Sequence, residues 1–139
     1  MSARDLFHDA VRNALVKDGW EITHDPLRVQ WRKTRTMQID LGAQMLLAAL
    51  KDARKIAVEV KSFIGISDLD DLYKAIGQFT IYRLVLQKVE PDREIFLAIH
   101  HEAYQQHFSD EWGELFRQQA HLKLVVFDKQ TEEILQWIP

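Results

Sequence analysis

Two short runs of alternating residues constrain this chain more than any other feature: Met37-Gln38-Ile39-Asp40-Leu41 and Ile56-Ala57-Val58-Glu59-Val60-Lys61. Successive side chains of a strand point to opposite faces. Ile56, Val58 and Val60 therefore share one face, and Ala57, Glu59 and Lys61 the other. In the first run Met37, Ile39 and Leu41 fall on one side, Gln38 and Asp40 on the other. If the two strands pair, Asp40, Glu59 and Lys61 converge at one edge of a sheet. Two carboxylates and an ammonium gathered there have the chemistry to hold Mg²⁺ and orient an attacking water on a phosphodiester. A strand with one charged, solvated face reads the same way, and that alternative stays open.

A chain of 139 residues fits a single domain, residues 1–139, with a real core. Hydrophobic residues at 47% and charged residues at 28% are the balance of a globular protein rather than a disordered one. No apolar run approaches the roughly 18 residues that a membrane span needs. No charged leader with an apolar stretch precedes the fold, so no export and no membrane partner are expected. Cysteine is absent, which excludes disulfides and thiolate metal sites and suits a cytoplasmic location. The remaining charged metal ligands are Asp, Glu and His, and paired carboxylates favour a hard ion, Mg²⁺ or Mn²⁺, over Zn²⁺.

The net charge of −3 argues against strong unaided binding to DNA. The cations are clustered, however. Arg28, Arg32, Lys33 and Arg35 have no acid between them, and Lys51, Arg54 and Lys55 form a second group. Both flank the strands of the carboxylate site. They read either as DNA-backbone contacts, weak or partner-assisted, or as ordinary solvated hairpin turns.

Along the chain, Ala3 to Lys17 reads as an amphipathic helix with Leu6, Ala10, Ala14 and Leu15 near helical spacing, Ser2 as its cap and Gly19 as its stop. Strands are expected from Trp20 to His24, Leu27 to Trp31 and Met37 to Leu41, with Asp25-Pro26 as a turn. Met45 to Leu50 can be read as helical, but its position before the Lys51–Arg54 turn suits a hairpin partner for Ile56 to Lys61. Ser67 or Asp68 can cap a long helix to about Gln87. Leu69, Leu72, Tyr73, Ile76 and Thr80 mark one of its faces, and Gln78, Ile81, Tyr82 and Val85 the opposite one. Such a helix is expected to be buried on two sides, the second against another helix or an interface. Ile95 to Ile99 is a short continuous apolar run, the mark of a central strand. Glu102 to Gln119 reads as mostly helical, Leu122 to Phe127 as a strand, and Glu133 to Ile138 either as an edge strand or as a segment packed beside it. The order predicts an α/β fold, a mixed sheet sandwiched by helices.

Other polar residues carry less. His24-Asp25 is a possible ligand pair but reads better as a polar turn before Pro26. His100-His101 marks the start of a helix rather than a metal site. Trp20, Trp31, Trp112 and Trp137 are spread as core and edge packing, with no interleaving that suggests base stacking. Asp40 has the strongest functional case after Glu59 and Lys61, against the plainer reading of a strand-end acid bonded to a loop amide. Glu59, mid-strand in apolar company, needs a partner, and Lys61 or a metal ion is available.

The acidic residue followed by Glu59-x-Lys61 resembles the active site of the PD-(D/E)xK nuclease superfamily, the restriction-endonuclease-like fold. Gln78-Phe79-Thr80-Ile81-Tyr82 follows on a predicted helix and is similar to the Q-x-x-x-Y element of one branch of that superfamily. Gln78 and Tyr82, four residues apart, lie on one helical face. The resemblance implies a mixed β-sheet flanked by α-helices, with Asp40 and Glu59 as metal ligands. It also implies that Lys61 stabilises charge on the phosphoryl oxygens and that Gln78, supported by Tyr82, hydrogen-bonds near the metal or the phosphate; helix packing accounts for the Gln78–Tyr82 pair equally well. Nucleases of this kind often take a further acidic ligand from the first helix, and at the comparable place this chain offers His8 and Asp9.

A second resemblance covers nearly the whole chain. Ala3-Arg4-Asp5 through His8, Asn13-Ala14-Leu15, Lys17-Asp18-Gly19-Trp20, Ile22-Thr23-His24-Asp25-Pro26, Ile39-Asp40-Leu41-Gly42-Ala43, Lys55 through Phe63 and Asp128-Lys129 resemble the XisH family. That likeness implies a cyanobacterial factor controlling excision of the fdxN DNA element, a programmed rearrangement, with a XisI-type partner. Two functions follow as expectations: a Mg²⁺-dependent DNA endonuclease, or a non-catalytic accessory protein that keeps the nuclease-like fold and acts through its partner. A homo-oligomer is compatible with either.

Overall fold

The computed structural model describes residues 3–46, 53–63 and 68–139. Helix α1 (Ala3–Lys17) forms because Ala10, Val11, Ala14 and Leu15 recur on one face, and all four are buried. Leu6, expected on that face, is exposed. The helix stops where Gly19 takes φ +98°, a left-handed conformation open to glycine. The reversal lets the Trp20 amide donate to the Leu15 carbonyl at 3.0 Å.

Strand β1 (Glu21–His24) leads through a turn into β2 (Leu27–Trp31), which pairs with β3 (Arg35–Ile39) as a separate antiparallel hairpin. Strand β4 (Leu41–Leu46) then pairs antiparallel with both β1 and β5 (Ala53–Val60). Helix α2 (Asp68–Val89) crosses over to β6 (Arg93–His100), which lies parallel to β5. Helices α3 (His101–His107) and α4 (Glu111–Gln119) return the chain to β7 (Leu124–Asp128), parallel to β6. Strand β8 (Glu133–Ile138) closes the sheet antiparallel to β7. The large sheet runs β1-β4-β5-β6-β7-β8, mixed, with helices on both faces.

The alternation read from β5 governs the two cores. Ile56, Val58 and Val60 join Leu41, Ala43, Phe96, Ala98, Val125 and Phe127 beneath α1. Ala57 points the other way, with Leu97, Ile99, Leu124 and Val126, beneath α2, α3 and the β2–β3 hairpin. Both faces of the central strands are covered, which is why Ile95 to Ile99 reads as an unbroken apolar run. Among the described residues no helix is long and apolar enough to cross a membrane.

Three expectations change. Met37 to Leu41 is not one strand. The chain breaks at Asp40, because Ile39 belongs to the hairpin-side core and Leu41 to the α1-side core. Glu102 to Gln119 is two helices. His100 caps α3 by accepting from the Ala103 amide, and Asp110 caps α4 by accepting from the Gly113 amide at 3.2 Å. Helix α2 is buried on one side only: Leu72, Ala75, Phe79 and Leu86 are in the core, while Leu69, Tyr73 and Ile81 are exposed. Of the expected β5 hairpin partner, Met45 and Leu46 end β4. Residues 47–50, the caps at Ser2 and Ser67, and Lys51 lie outside the described residues.

Gly113 supplies a test of the α3–α4 junction. A Cβ there would sit 2.3 Å from the Phe108 Cα and 2.6 Å from the His107 carbonyl oxygen. Glycine to alanine inside a helix ordinarily stabilises by about 1 kcal/mol. Here Gly113→Ala is expected to destabilise instead, by ~1–3 kcal/mol as overpacking does. A lower urea midpoint at unchanged slope is the expected reading, and a raised midpoint contradicts the close approach.

Candidate functional site

Asp40 sits at the bend between β3 and β4, and Glu59 near the end of β5. The register Leu41 opposite Val58, continued by one residue, sets Asp40 against Glu59. Both are buried, 2% and 6% exposed. The Val60 amide donates to Asp40 Oδ2 at 2.8 Å, and the Asp40 amide donates to Glu59 Oε1 at 3.2 Å. Each carboxylate thus accepts a main-chain N–H from the other's strand. This reciprocal clasp ties the β3–β4 bend to β5.

The Glu59 carboxyl is pushed up to about 8 from its ordinary 4.5, above all by burial. The negative charge of Asp40 and a carboxyl–carboxyl hydrogen bond between the two contribute to that rise, while the Lys61 ammonium and the Asp40 amide act in the opposite sense. Near neutral pH Glu59 therefore keeps its proton. Lys61 is half-buried just past β5, where its amide donates to the Ala98 carbonyl at 3.0 Å and extends the parallel pairing onto β6.

The backbone beyond Lys61 is held by a residue not expected here. His100 Nε2 donates to the Ser62 carbonyl oxygen at 3.0 Å, while Phe7 of α1 packs edge-on against the His100 ring at 5.4 Å. Ser62 and His100 are both buried. The sequence marked His100 as a helix start, which it is. Its grip on Ser62, 38 residues away, left no local signal. Arg93 is a second such residue. It is buried, donates to the Ile56 carbonyl at 2.8 Å and pairs with Glu90 through two hydrogen bonds.

The other expected site residues are distributed around this pair. Gln78 is exposed on α2, one position before the fully buried Phe79. Tyr82 is half-buried and packs against the core cluster that contains Ala57 and Leu97. His8 Nε2 bonds to Asp25 Oδ1 at 2.7 Å, Arg12 pairs with the other oxygen of Asp25, and Asp9 is exposed. Their helix, α1, covers the sheet face opposite the one that Glu59 shares with Ala57. His24 contacts Thr23 at 2.9 Å. Arg28, Arg32, Lys33 and Arg35 are all exposed on the β2–β3 hairpin, with the Arg32 guanidinium 5.4 Å above the Trp31 ring. Arg54 and Lys55 pair with Glu94 and Asp92 at 3.5 and 3.6 Å. Among the described residues no group of three or more Asp, Glu or His side chains is placed to hold a metal ion.

The raised Glu59 pKa sets a pH dependence. Between 4.5, the unfolded value, and about 8, the folded state holds a proton that the unfolded chain has released. Stability contributed by this group is complete below the lower value, falls as pH rises through that window and levels off above it. At about 1.4 kcal/mol per unit, the decline is on the order of a few kcal/mol. Urea unfolding in chelator at pH 5 and pH 8 measures it. Glu59→Gln is expected to flatten the slope and be the more stable protein at pH 8, and a wild-type slope in the variant contradicts the assignment.

With this geometry in hand, comparison with known proteins is informative. The chain matches the XisH protein family over residues 1–135. It is similar to the crystal structure of an XisH family protein from Nostoc punctiforme, at 34% identity and TM-score 0.86, over 97% of this chain and all of that one. It is also similar to the structure of an fdxN element excision controlling factor protein from Anabaena variabilis, at 38% identity and TM-score 0.86, over 98% of this chain and all of that one. A comparison with curated proteins finds no match. The family match and both structural likenesses span almost the whole chain, and the protein belongs to the XisH family.

Proposed function

We infer that this XisH protein is a Mg²⁺-dependent (or Mn²⁺-dependent) DNA endonuclease of the PD-(D/E)xK kind, acting in the cytoplasm in the control of excision of a DNA element. The relative from Anabaena variabilis carries the name of such a factor. The observation that supports the chemistry is the buried Asp40–Glu59 pair with the Lys61 charge beside it. Two carboxylates packed so closely that one keeps its proton are a donor set that a divalent cation would relieve. Mg²⁺ is commonly bound through one or two carboxylates with water completing its shell, so a set of two suits it.

In this reading Asp40 and Glu59 hold the ion, which when bound supplies Lewis acidity and a more acidic water. The clasp through the Val60 and Asp40 amides sets the two carboxylates against each other before substrate arrives. Lys61 offsets charge that develops on the phosphoryl oxygens. His100, by holding the Ser62 carbonyl, keeps the chain after Lys61 in place. The exposed Arg28, Arg32, Lys33 and Arg35 give the hairpin a basic surface for the DNA backbone.

One feature favours a second reading, a non-catalytic accessory protein on a nuclease-like scaffold working through a XisI-type partner. Asp40 Oδ2 and Glu59 Oε1 each accept a backbone amide, as a purely structural clasp would. Metal binding separates the two. On the nuclease reading, millimolar Mg²⁺ or Mn²⁺ raises Tm by preferential binding to the folded state, more at pH 8 than at pH 5 because protons compete for the pair. Glu59→Gln abolishes both this shift and cleavage. Lys61→Ala loses cleavage, by ~10²-fold or more as expected for a charge-stabilising group, yet keeps the metal shift. The cleavage assay spans plasmid, branched and single-stranded DNA, with and without a XisI-type protein. Equal cleavage by wild type and Glu59→Gln means a contaminant or a different site, whereas no metal shift and no cleavage together with partner-dependent DNA binding establishes the accessory role instead.

A further inference from the structure

Helix α2 turns an uncovered apolar face to solvent. Leu69, Tyr73, Ile81 and Leu84 are 46%, 63%, 56% and 50% exposed. Their spacing winds along one side of the helix, away from the buried row of Leu72, Ala75, Phe79 and Leu86. Beside Ile81 and Leu84 the surface dips into a groove of about 360 Å³ between α2 and the β2–β3 hairpin, with Trp31, Met37 and Val85 also in its wall. Large apolar side chains exposed this close together on one helix mark an interaction surface flanked by charge.

The row along the middle of that face is Asp70, Gly77, Ile81 and Lys88. It reads symmetrically about Phe79: Gly77 and Ile81 lie two residues to either side of it, Asp70 and Lys88 nine. The charges do not share that symmetry. On this face Asp70, paired with Lys74, lies near the start of α2 and Lys88 near its end, and no acid follows Asp71 within the helix. A second α2 laid antiparallel across the first, with the two-fold axis at Phe79, therefore sets each Ile81 over the partner's Gly77 and each Asp70 against the partner's Lys88. A parallel copy would set like charge on like. Gly77 allows the approach, since the direction a Cβ would take there meets nothing within 4 Å. Asp70, already paired with Lys74 at 3.0 Å, remains exposed enough to take the second cation.

We propose that α2 is a self-association surface, on which two copies of this chain pack antiparallel as a two-fold dimer centred on Phe79. The occupant is a second copy because the face complements itself in both shape and charge. This does not rest on the nuclease reading.

Sedimentation equilibrium of the full chain from micromolar to hundred-micromolar concentration is expected to give twice the 16.4 kDa of one chain. Gly77→Leu is harmless to the isolated fold, because its Cβ enters open space and leucine is the better helix former. It fills the gap under the partner's Ile81, so the dimer Kd is expected to rise by at least about tenfold. Asp70→Lys and Lys88→Asp each turn both cross-pairs into like charges and weaken the dimer about several-fold at low salt. The double variant restores it, whereas an apolar face that binds indiscriminately gives no such rescue. Circular dichroism checks that each variant stays folded. A wild-type chain monomeric throughout the range overturns the proposal and leaves the face to a different protein. So does a Gly77→Leu dimer of unchanged Kd, or a double variant weaker than either single one.

Discussion

The clasp between Asp40 and Glu59 is the contact on which the rest of this structure turns. Three pieces of chain meet there: the hairpin that ends at Ile39, the sheet strand that begins at Leu41, and β5. The change of core at Asp40 leaves main-chain amides at the bend and at Val60 that need acceptors in a dry place, and the two carboxylates provide them. Burying two acids side by side is costly, and the protein offsets the cost by keeping a proton on Glu59 and placing Lys61 nearby. The arrangement that makes the clasp sensitive to pH is also the donor set that the proposed function assigns to a divalent cation. Structure and proposed chemistry therefore share one set of atoms.

Around this clasp the fold adds rigidity. Parallel pairing of β5 with β6 continues one residue past the strand through the Lys61 amide. His100 then pins Ser62, and its own ring is wedged by Phe7 from α1. Within β5 the Arg93 guanidinium holds the Ile56 carbonyl. The chain bearing Glu59 is thus held before and after that residue by side chains from β6. Residues that a nuclease needs aligned would gain from such a support, since a charge-stabilising group works only when it is held before the reaction begins.

The uncovered side of α2 lies apart from this machinery. It is built from the helix that crosses between β5 and β6, so its sheet-facing row is obliged to be apolar by the core. Nothing in the core requires Tyr73, Ile81 and Leu84 to be apolar as well. Their presence on the outer face, beside the row of Asp70, Gly77, Ile81 and Lys88 that is symmetric about Phe79, is what the proposed antiparallel copy of the helix would cover.

Local patterning was enough to place most elements. Period-two alternation marked β2, β5 and the two faces of the central sheet, Gly19 marked the end of α1, and a continuous apolar run marked β6. These are properties of residues a few positions apart, where side-chain direction follows from backbone geometry alone. The same alternation put Glu59 and Lys61 on one face, and the family resemblance was readable along almost the whole chain. What the sequence could not settle depends on which surfaces meet. The break at Asp40 arises because Ile39 and Leu41 enter different cores, and the helix break at Phe108 to Asp110 because Gly113 must lie against the Phe108 backbone. Outer apolar residues of α2 look like core residues until it is known that no element of this chain covers them among the described residues. The bonds of Asp40 to Val60 and of His100 to Ser62 span 20 and 38 residues. Contacts at that distance leave no periodic trace, and only the packing of the sheet brings them together.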